Sequence, residues 1–341
     1  MKILVTGGTG YIGSHTVVEL QNVGFEVVII DNLSNSMHEV VDRITEITSK
    51  RPVFEKVDLV DPEATLACIE KHKDLVGVIH FAALKAVGES VEKPLMYYDN
   101  NISSLLSLLK ALQKFNISNF VFSSSCTVYG QPDELPVSEQ APRKQAESPY
   151  GNTKKISEDI IEDMVGTGRL NAISLRYFNP IGAHSTAKIG ELPLGVPDNL
   201  VPYITQTAIG KREHLRVFGQ DYNTHDGTAI RDYIHVVDLA KAHVVAVNRL
   251  LQAKSKKPYE IFNLGTGNGF TVLEVIHAFE KASGQKLNYQ IAERRKGDIE
   301  KVWADTSFAN KELGWQASLG LDEMMRSAWE WELALSEKEN K

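Results

Sequence analysis

Tyr150 and Lys154 stand four residues apart in a stretch that opens with Ser148 and Pro149, a cap residue and a first-turn proline that together mark a helix start. Four residues is about one helical turn, so the phenol and the amine share a face. A free tyrosine titrates near ~10 and is a poor base at neutral pH, but an ammonium within ~4–6 Å favours the phenolate. The pair is a candidate proton acceptor for a hydroxyl. Upstream, Ser123, Ser124 and Ser125 close an apolar run and are followed by Cys126 and Thr127. Hydroxyls at the carboxyl end of a strand lie where open α/β sheets bind ligands, so a serine there can orient a substrate hydroxyl toward Tyr150. Near the N-terminus, Gly7, Gly10 and Gly13 punctuate a turn between an apolar run and a helical stretch. The first glycine permits a tight turn, the second lets backbone approach a pyrophosphate, and the third lets the helix pack close. Asp31 ends the next apolar run, 18 residues after Gly13, where a carboxylate accepts from ribose hydroxyls and repels a 2′-phosphate. That favours NAD over NADP. A tyrosine and lysine at this spacing, taken alone, describe any surface helix; the serines and the glycine turn lend the pair its weight.

The elements that must hold these residues follow from the apolar pattern. Short, continuously apolar runs at 3–5, 27–30, 76–81, 120–122 and 172–175 alternate with helical stretches at 11–23, 103–115 and 150–165. Runs without polar alternation are expected of parallel strands covered on both faces, and the alternation with helices is that of βαβ units. The expected fold is α/β, a doubly wound parallel sheet of the Rossmann kind with a second, smaller α/β substrate-binding domain. Beyond Asn179, Gly and Pro become frequent, which marks the loop-rich second part. The expected division is an NAD-binding domain over 1–179, joined by part of 233–252, and a substrate domain over 180–335. A polar tail over 336–341 is expected to fray.

Composition narrows the partners. The chain has 341 residues, a formal charge of −7 and 43% hydrophobic content, with Lys and Arg scattered among acids. No basic stripe is present to neutralise a nucleic-acid backbone. No apolar run approaches the ~18 residues of a membrane helix, and the first residues are too short an apolar stretch for a secretory signal. Cys68 and Cys126 are the only cysteines, without CxxC or HExxH pairing, so no disulfide framework and no metal site is expected. A cytoplasmic enzyme is the expectation. Cys126 follows Ser125 along the strand and is expected to point to the opposite face as a buried thiol.

Segments 6–15 (TGGTGYIGSH), 80–90 (HFAALKAVGES), 123–130 (SSSCTVYG), 148–154 (SPYGNTK), 176–183 (RYFNPIGA) and 231–236 (RDYIHV) resemble the extended short-chain dehydrogenase/reductases. Nearly the whole chain resembles that family's UDP-galactose 4-epimerases. The resemblance implies NAD as cofactor, a UDP-sugar as substrate and a homodimer. It implies catalytic roles for Tyr150, Ser125 and Lys154. For the cofactor it implies contacts from Gly7, Gly10, Tyr11, Ile12, Gly13, Asp31, Asn32, Asp58, Leu59, Phe81, Ala82, Lys85, Asn100, Tyr150, Lys154 and Tyr177, with Asp58 and Leu59 at the adenine. For the substrate it implies Ser125, Thr127, Phe178, Asn179, Asn199, Leu200, Val217, Phe218, Arg231, Arg295, Asp298 and Val302. A guanidinium fork suits a diphosphate. Ala83 stands where the family often has Gly. Val302 stands where some bacterial members carry a tyrosine on the sugar-pocket wall, which leaves open whether N-acetylated UDP-hexosamines are also accepted. Within the same family a 4,6-dehydratase or a decarboxylase is the alternative, but dehydratases typically carry acids where this sequence has Cys126 and Thr127. A protein that kept the fold only to sense NAD would tend to lose the reactive side chains, and all three remain.

Overall fold

A computed structural model describes residues 1–295 and 298–339. The first half runs β1 (Lys2–Thr6), α1 (Tyr11–Asn22), β2 (Glu26–Asp31), α2 (Glu39–Thr48), β3 (Val53–Lys56), α3 (Pro62–Lys71), β4 (Leu75–His80), α4 (Val87–Glu92), α5 (Pro94–Lys114), β5 (Asn119–Ser125), α6 (Pro149–Gly166) and β6 (Asn171–Tyr177). Five strands fall on the apolar runs. β3 does not, because it is an edge strand whose residues are all at least partly exposed, so no continuous apolar run was required of it. Helix α5 starts at Pro94, earlier than periodicity from 103 indicates; Pro94 at the first turn sets the true start.

The second half runs β7 (Asn179–Ile181), α7 (Leu200–Ala208), β8 (Leu215–Phe218), β9 (Ile230–His235), α8 (Val236–Leu251), β10 (Tyr259–Leu264), β11 (Gly269–Thr271), α9 (Val272–Ser283), β12 (Tyr289–Ala292), β13 (Lys301–Val302), α10 (Ser307–Leu313) and α11 (Leu321–Glu339). β10 returns to pair with β6 and completes a seven-stranded parallel sheet in the order β10-β6-β5-β4-β1-β2-β3. This is the doubly wound α/β fold. The polar end is not frayed through its length: residues 336–339 continue α11, and residues 340–341 of that expected tail lie outside the described residues.

Strand alternation supplies both covering layers. Ile3 and Val5 face Val17, Leu20, Leu239 and Val247, whereas Leu4 faces Leu105, Leu108 and Ile69 on the other side. A further core gathers Ile204, Val217, Tyr233, Ile276, Phe279 and Met325 around β8, β9, α9 and α11. Burying a side chain of this size contributes about 1.5–3 kcal/mol. The rigidity matters because the chain order reverses between β1 and β4, and ligands bind outside the carboxyl ends of the strands at such a reversal. Thr6, Asp31, His80, Ser125 and Tyr177 all end strands on that edge.

Candidate active site

The glycine turn is shaped by contacts that exclude a side chain. Gly7 has φ +67°, and a Cβ there would sit 2.8 Å from the Ala82 nitrogen; at Gly13 it would sit 2.2 Å from the Gly7 carbonyl oxygen. Neither position tolerates even alanine without moving backbone. Helix α1 then starts at Tyr11 with no side chain capping it and no acid in its first turn, leaving N–H groups and the positive end of the helix dipole to an anion. Tyr11 itself donates its hydroxyl to the Gly182 carbonyl at 2.6 Å. Asp31 accepts from the Thr9 N–H at 3.2 Å and, through its other oxygen, from Leu33 N–H at 2.9 Å and Ser36 Oγ at 3.1 Å. Asn32 donates to Asp58 at 3.2 Å, and Leu59 is buried below. On the other side, Phe81 and Ala82 follow β4 and donate their N–H groups to Thr6. A concave backbone cradle, an uncapped helix start and a strand-end carboxylate fit a dinucleotide without a 2′-phosphate.

Helix α6 brings the reactive groups to the end of β5. Ser148 caps it by accepting from the Gly151 N–H at 3.2 Å, an interaction worth about 1 kcal/mol. Lys154 is 4% exposed, donates to the Ser123 carbonyl at 2.6 Å, and lies 6.0 Å from the centre of the Tyr150 ring. Burial pushes its amine down to about 7, and the nearby charge of Glu158 pulls it partly back. Tyr150 departs from the sequence expectation. Burial pushes its phenol up to about 12, a hydrogen bond from Ser125 opposes this, and proximity to Cys126 adds to it. The amine alone does not make the phenol acidic, because removing both groups from water favours their neutral forms. Tyr177 pairs with Ser123, and burial raises its phenol strongly.

Beneath this layer lies a network that sequence reasoning missed. Glu158, one turn beyond Lys154, is fully buried; it accepts from Ser124 at 2.6 Å and from Arg176 at 2.8 and 2.5 Å. Arg176 also reaches the Tyr129 hydroxyl at 3.0 Å, which donates to Asn263 at 2.6 Å. Lys154 and Glu158 therefore bind adjacent residues of β5 and fix its end against α6. Asn101 is a second omission: it holds both the N–H and the carbonyl of Leu84 and donates to Thr153. A charged residue placed one turn after a lysine was the only sequence signal for Glu158.

The facing wall comes from the second half. Arg231 binds Asp298 at 2.7 Å, Arg295 approaches the other oxygen of Asp298 at 3.2 Å, and the Arg295 guanidinium lies 4.9 Å from the Phe218 ring centre. One carboxylate thus gathers two guanidinium forks. Val217, beside Phe218, is buried in the second core. Phe178 and Val302 share an apolar cluster with Val128, Tyr129 and Ala304, and Asn179 follows at the start of β7. Among the described residues the buried Thr127 hydroxyl has no hydrogen-bond partner, as a group reserved for a ligand would be. Cys126 overturns its expectation. β5 ends at Ser125 and a tight 3₁₀ turn begins at Cys126, so strand alternation does not apply. Its thiol bonds Ser125, packs against the cluster holding Phe178 and Val302, and is pushed up to about 12 by burial. Two expected contacts are already paired: Lys85 and Asn199 both bind Glu191, at 3.1 and 2.6 Å. Asn100 donates to Asn101, and Leu200 opens α7 against the second core.

A dinucleotide turn followed by serine, tyrosine and lysine at the end of the fifth strand belongs to the short-chain dehydrogenase/reductase class of nucleotide-sugar enzymes. Residues 4–328 match the family described as GDP-mannose 4,6 dehydratase. The UDP-glucose 4-epimerase of Bacillus subtilis (strain 168) is 50% identical over 333 residues, covering 97% of each chain. Among solved structures, the UDP-glucose 4-epimerase of Stenotrophomonas maltophila, with bound NAD and formylated UDP-arabinopyranose, superposes with a TM-score of 0.95 at 49% identity and 99% coverage of both chains. That of Bifidobacterium longum, with NAD+ and UDP, gives 0.94 at 46% identity and 98% coverage of both. The chain belongs to this family, on its UDP-glucose 4-epimerase branch.

Proposed function

We propose that the protein interconverts UDP-galactose and UDP-glucose by inverting C4 of the hexose, with NAD as its resident cofactor. The observation that carries this is the meeting of Tyr150, Ser125 and Lys154 at the β5 edge in a chain about half identical to UDP-glucose 4-epimerases. Bound NAD supplies the hydride acceptor, and then donor, that takes C4 through a ketone, and in its oxidised form it adds positive charge to the site.

The chain's own residues do the rest. The α1 start and Asp31 hold the dinucleotide, with Asn32, Asp58 and Leu59 at the adenine end and Tyr177 near the nicotinamide end. Tyr150 takes the proton from the sugar 4-hydroxyl, which Ser125 orients. Because burial holds the phenol protonated in the chain alone, ionisation requires added positive charge close by. Lys154 keeps β5 and α6 in register and binds ribose. Arg231 and Arg295, held by Asp298, grip the diphosphate, with Phe218, Asn199 and Leu200 toward the uridine. The sugar meets Phe178, Cys126 and Val302, which belong to one apolar cluster. A firmly held UDP and a loosely held hexose allow the keto-sugar to turn over and take its hydride on the opposite face.

Elimination of water is not favoured, since Cys126 and Thr127 supply no carboxylate beside Tyr150. We propose the sheet-forming residues to 179, with returning segments, as the NAD-binding domain and 180–335 as the substrate domain. Exposed Val87, Val91, Leu95 and Leu106 on α4 and α5 support a homodimer, tested by sedimentation equilibrium. Among the described residues no helix is long and apolar enough to cross a membrane, and the two free thiols are consistent with a reducing, cytoplasmic setting. The small Val302 side chain supports acceptance of N-acetylated UDP-hexosamines, and absence of turnover of UDP-N-acetylgalactosamine would dispose of that extension.

The test of the main reading is to incubate purified protein with UDP-galactose and no added NAD. UDP-glucose appearing without cofactor supports it. Stoichiometric release of NADH marks a dehydrogenase instead.

A further inference from the structure

Far from the β5 edge, the end of α3 and the edge strand β3 bring together three different donors. The Cys68 sulfur, a ring nitrogen of His72 and a carboxylate oxygen of Glu55 all lie within 4.8 Å of one another. Cys68 lies in the last turn of α3 and His72 is the residue at which the helix ends, so both side chains meet Glu55 of β3 where α3 stops. His72 Nε2 and Glu55 Oε1 are already 2.9 Å apart. The thiol is 2% exposed, whereas the His72 and Glu55 side chains are 13% and 22% exposed, which leaves an approach from solvent with the sulfur beneath.

We infer that Glu55, Cys68 and His72 form a binding site for a zinc-type divalent cation. Thiolate, imidazole and carboxylate are the ligand types such an ion takes, and the soft sulfur argues against magnesium or calcium. In a tetrahedral site the donors stand roughly 3.5 Å apart, so the widest separation closes by at most about 1.3 Å while His72 and Glu55 open by about 0.6 Å to admit the ion, leaving the fourth position to water. Binding forms a metal–sulfur bond and breaks the S–H bond, and the proton leaves to the buffer. Burial and the Glu55 charge push the thiol up to about 11, while Lys71, 3.4 Å from Glu55, opposes both that rise and the incoming cation. An ion here ties the outermost strand to α3. Cys68 also shares an apolar cluster with Leu59, so the brace reaches the segment that follows β3.

The test uses Co²⁺ as the probe on the full-length, NAD-loaded protein. The expected result is one equivalent bound, a near-ultraviolet sulfur-to-cobalt charge-transfer band, visible bands of a tetrahedral ion, one proton released, and loss of the spectrum when Zn²⁺ is added. Cys68→Ser abolishes the band, and Cys68→Ser, His72→Gln and Glu55→Gln each weaken binding about tenfold or more. His72→Gln changes a partly exposed side chain and serves if the buried serine variant does not fold. An unchanged titration in both Cys68→Ser and His72→Gln, or a wild-type protein with no charge-transfer band, overturns the inference.

Discussion

Replacing Glu158 by Gln tests whether a buried charge holds the reactive helix to its strand. The carboxylate is fully buried between Ser124, at 2.6 Å, and an Arg176 that is itself 2% exposed and bonded at 2.8 and 2.5 Å. Glutamine keeps the shape, turns one acceptor into a donor and leaves the guanidinium without a counter-charge. Removing one partner of a buried pair costs about 3–5 kcal/mol. Arg143, 3.4 Å from the same carboxylate, keeps its closer partner Asp159 at 2.7 Å and is partly exposed, so its loss of attraction adds less. At about 2 °C per kcal/mol for a chain this large, Tm should fall by roughly 6–10 °C. A second effect separates this from general damage. The Glu158 charge raises the Lys154 amine, which burial holds at about 7; without it the amine titrates lower, and the limb of the pH–rate profile assigned to Lys154 moves toward acid. Thermal melts and UDP-glucose formation across pH 5–10 measure both. A variant with unchanged Tm and an unchanged profile would refute the network. The paired change Glu158→Leu with Arg176→Met should cost less than the sum of its single changes.

Tyr150→Phe should reduce turnover by about 10²–10⁴-fold, the usual range for losing a general base, while leaving bound NAD in place as measured by its absorbance. In the wild-type enzyme the phenol is pushed up by burial, so kcat should rise with pH on its acid side, where the phenolate fraction grows. Lys154 gives a stability prediction. Its folded value near 7 lies below its ordinary 10.5, so between those values the unfolded chain holds a proton that the folded chain does not, and stability rises with pH. In denaturant titrations at pH 7 to 10, that slope should be smaller in Lys154→Met by the share of one proton. Gly13→Ala forces a Cβ to 2.2 Å from the Gly7 oxygen; purified protein should carry little NAD, read as the loss of cofactor absorbance. Asp298→Ala frees Arg231 and Arg295 from their shared carboxylate and should raise KM for the UDP-sugar about tenfold with a smaller change in kcat, measured by initial rates.

The parts legible in the sequence are those set by neighbouring residues. Gly7, Gly10 and Gly13 announce a strand-to-helix turn, and the structure shows the atoms that a side chain at Gly7 or Gly13 would strike. Tyr150 and Lys154 share a face because a helix repeats every 3.6 residues. Five central strands were visible because burial on both faces requires apolar side chains throughout. The edge strand β3 and the position of Cys126 were not visible, the first because one side of an edge needs no apolar run, the second because a strand ended one residue earlier than alternation assumed.

Sequence alone determined the alternating α/β order, the preference for NAD and the choice of Ser125, Tyr150 and Lys154 as the proposed reactive set, since these depend on residue type and on spacings within one turn or one βαβ unit. The tertiary structure decided which groups meet from distant segments: Glu158 with Arg176, Arg231 and Arg295 on Asp298, and Glu55 with Cys68 and His72. It also decided that Tyr150 stands above its ordinary value and Lys154 below. Local spacing places an amine near a phenol, but desolvation depends on everything packed over both, and only the folded chain supplies that cover.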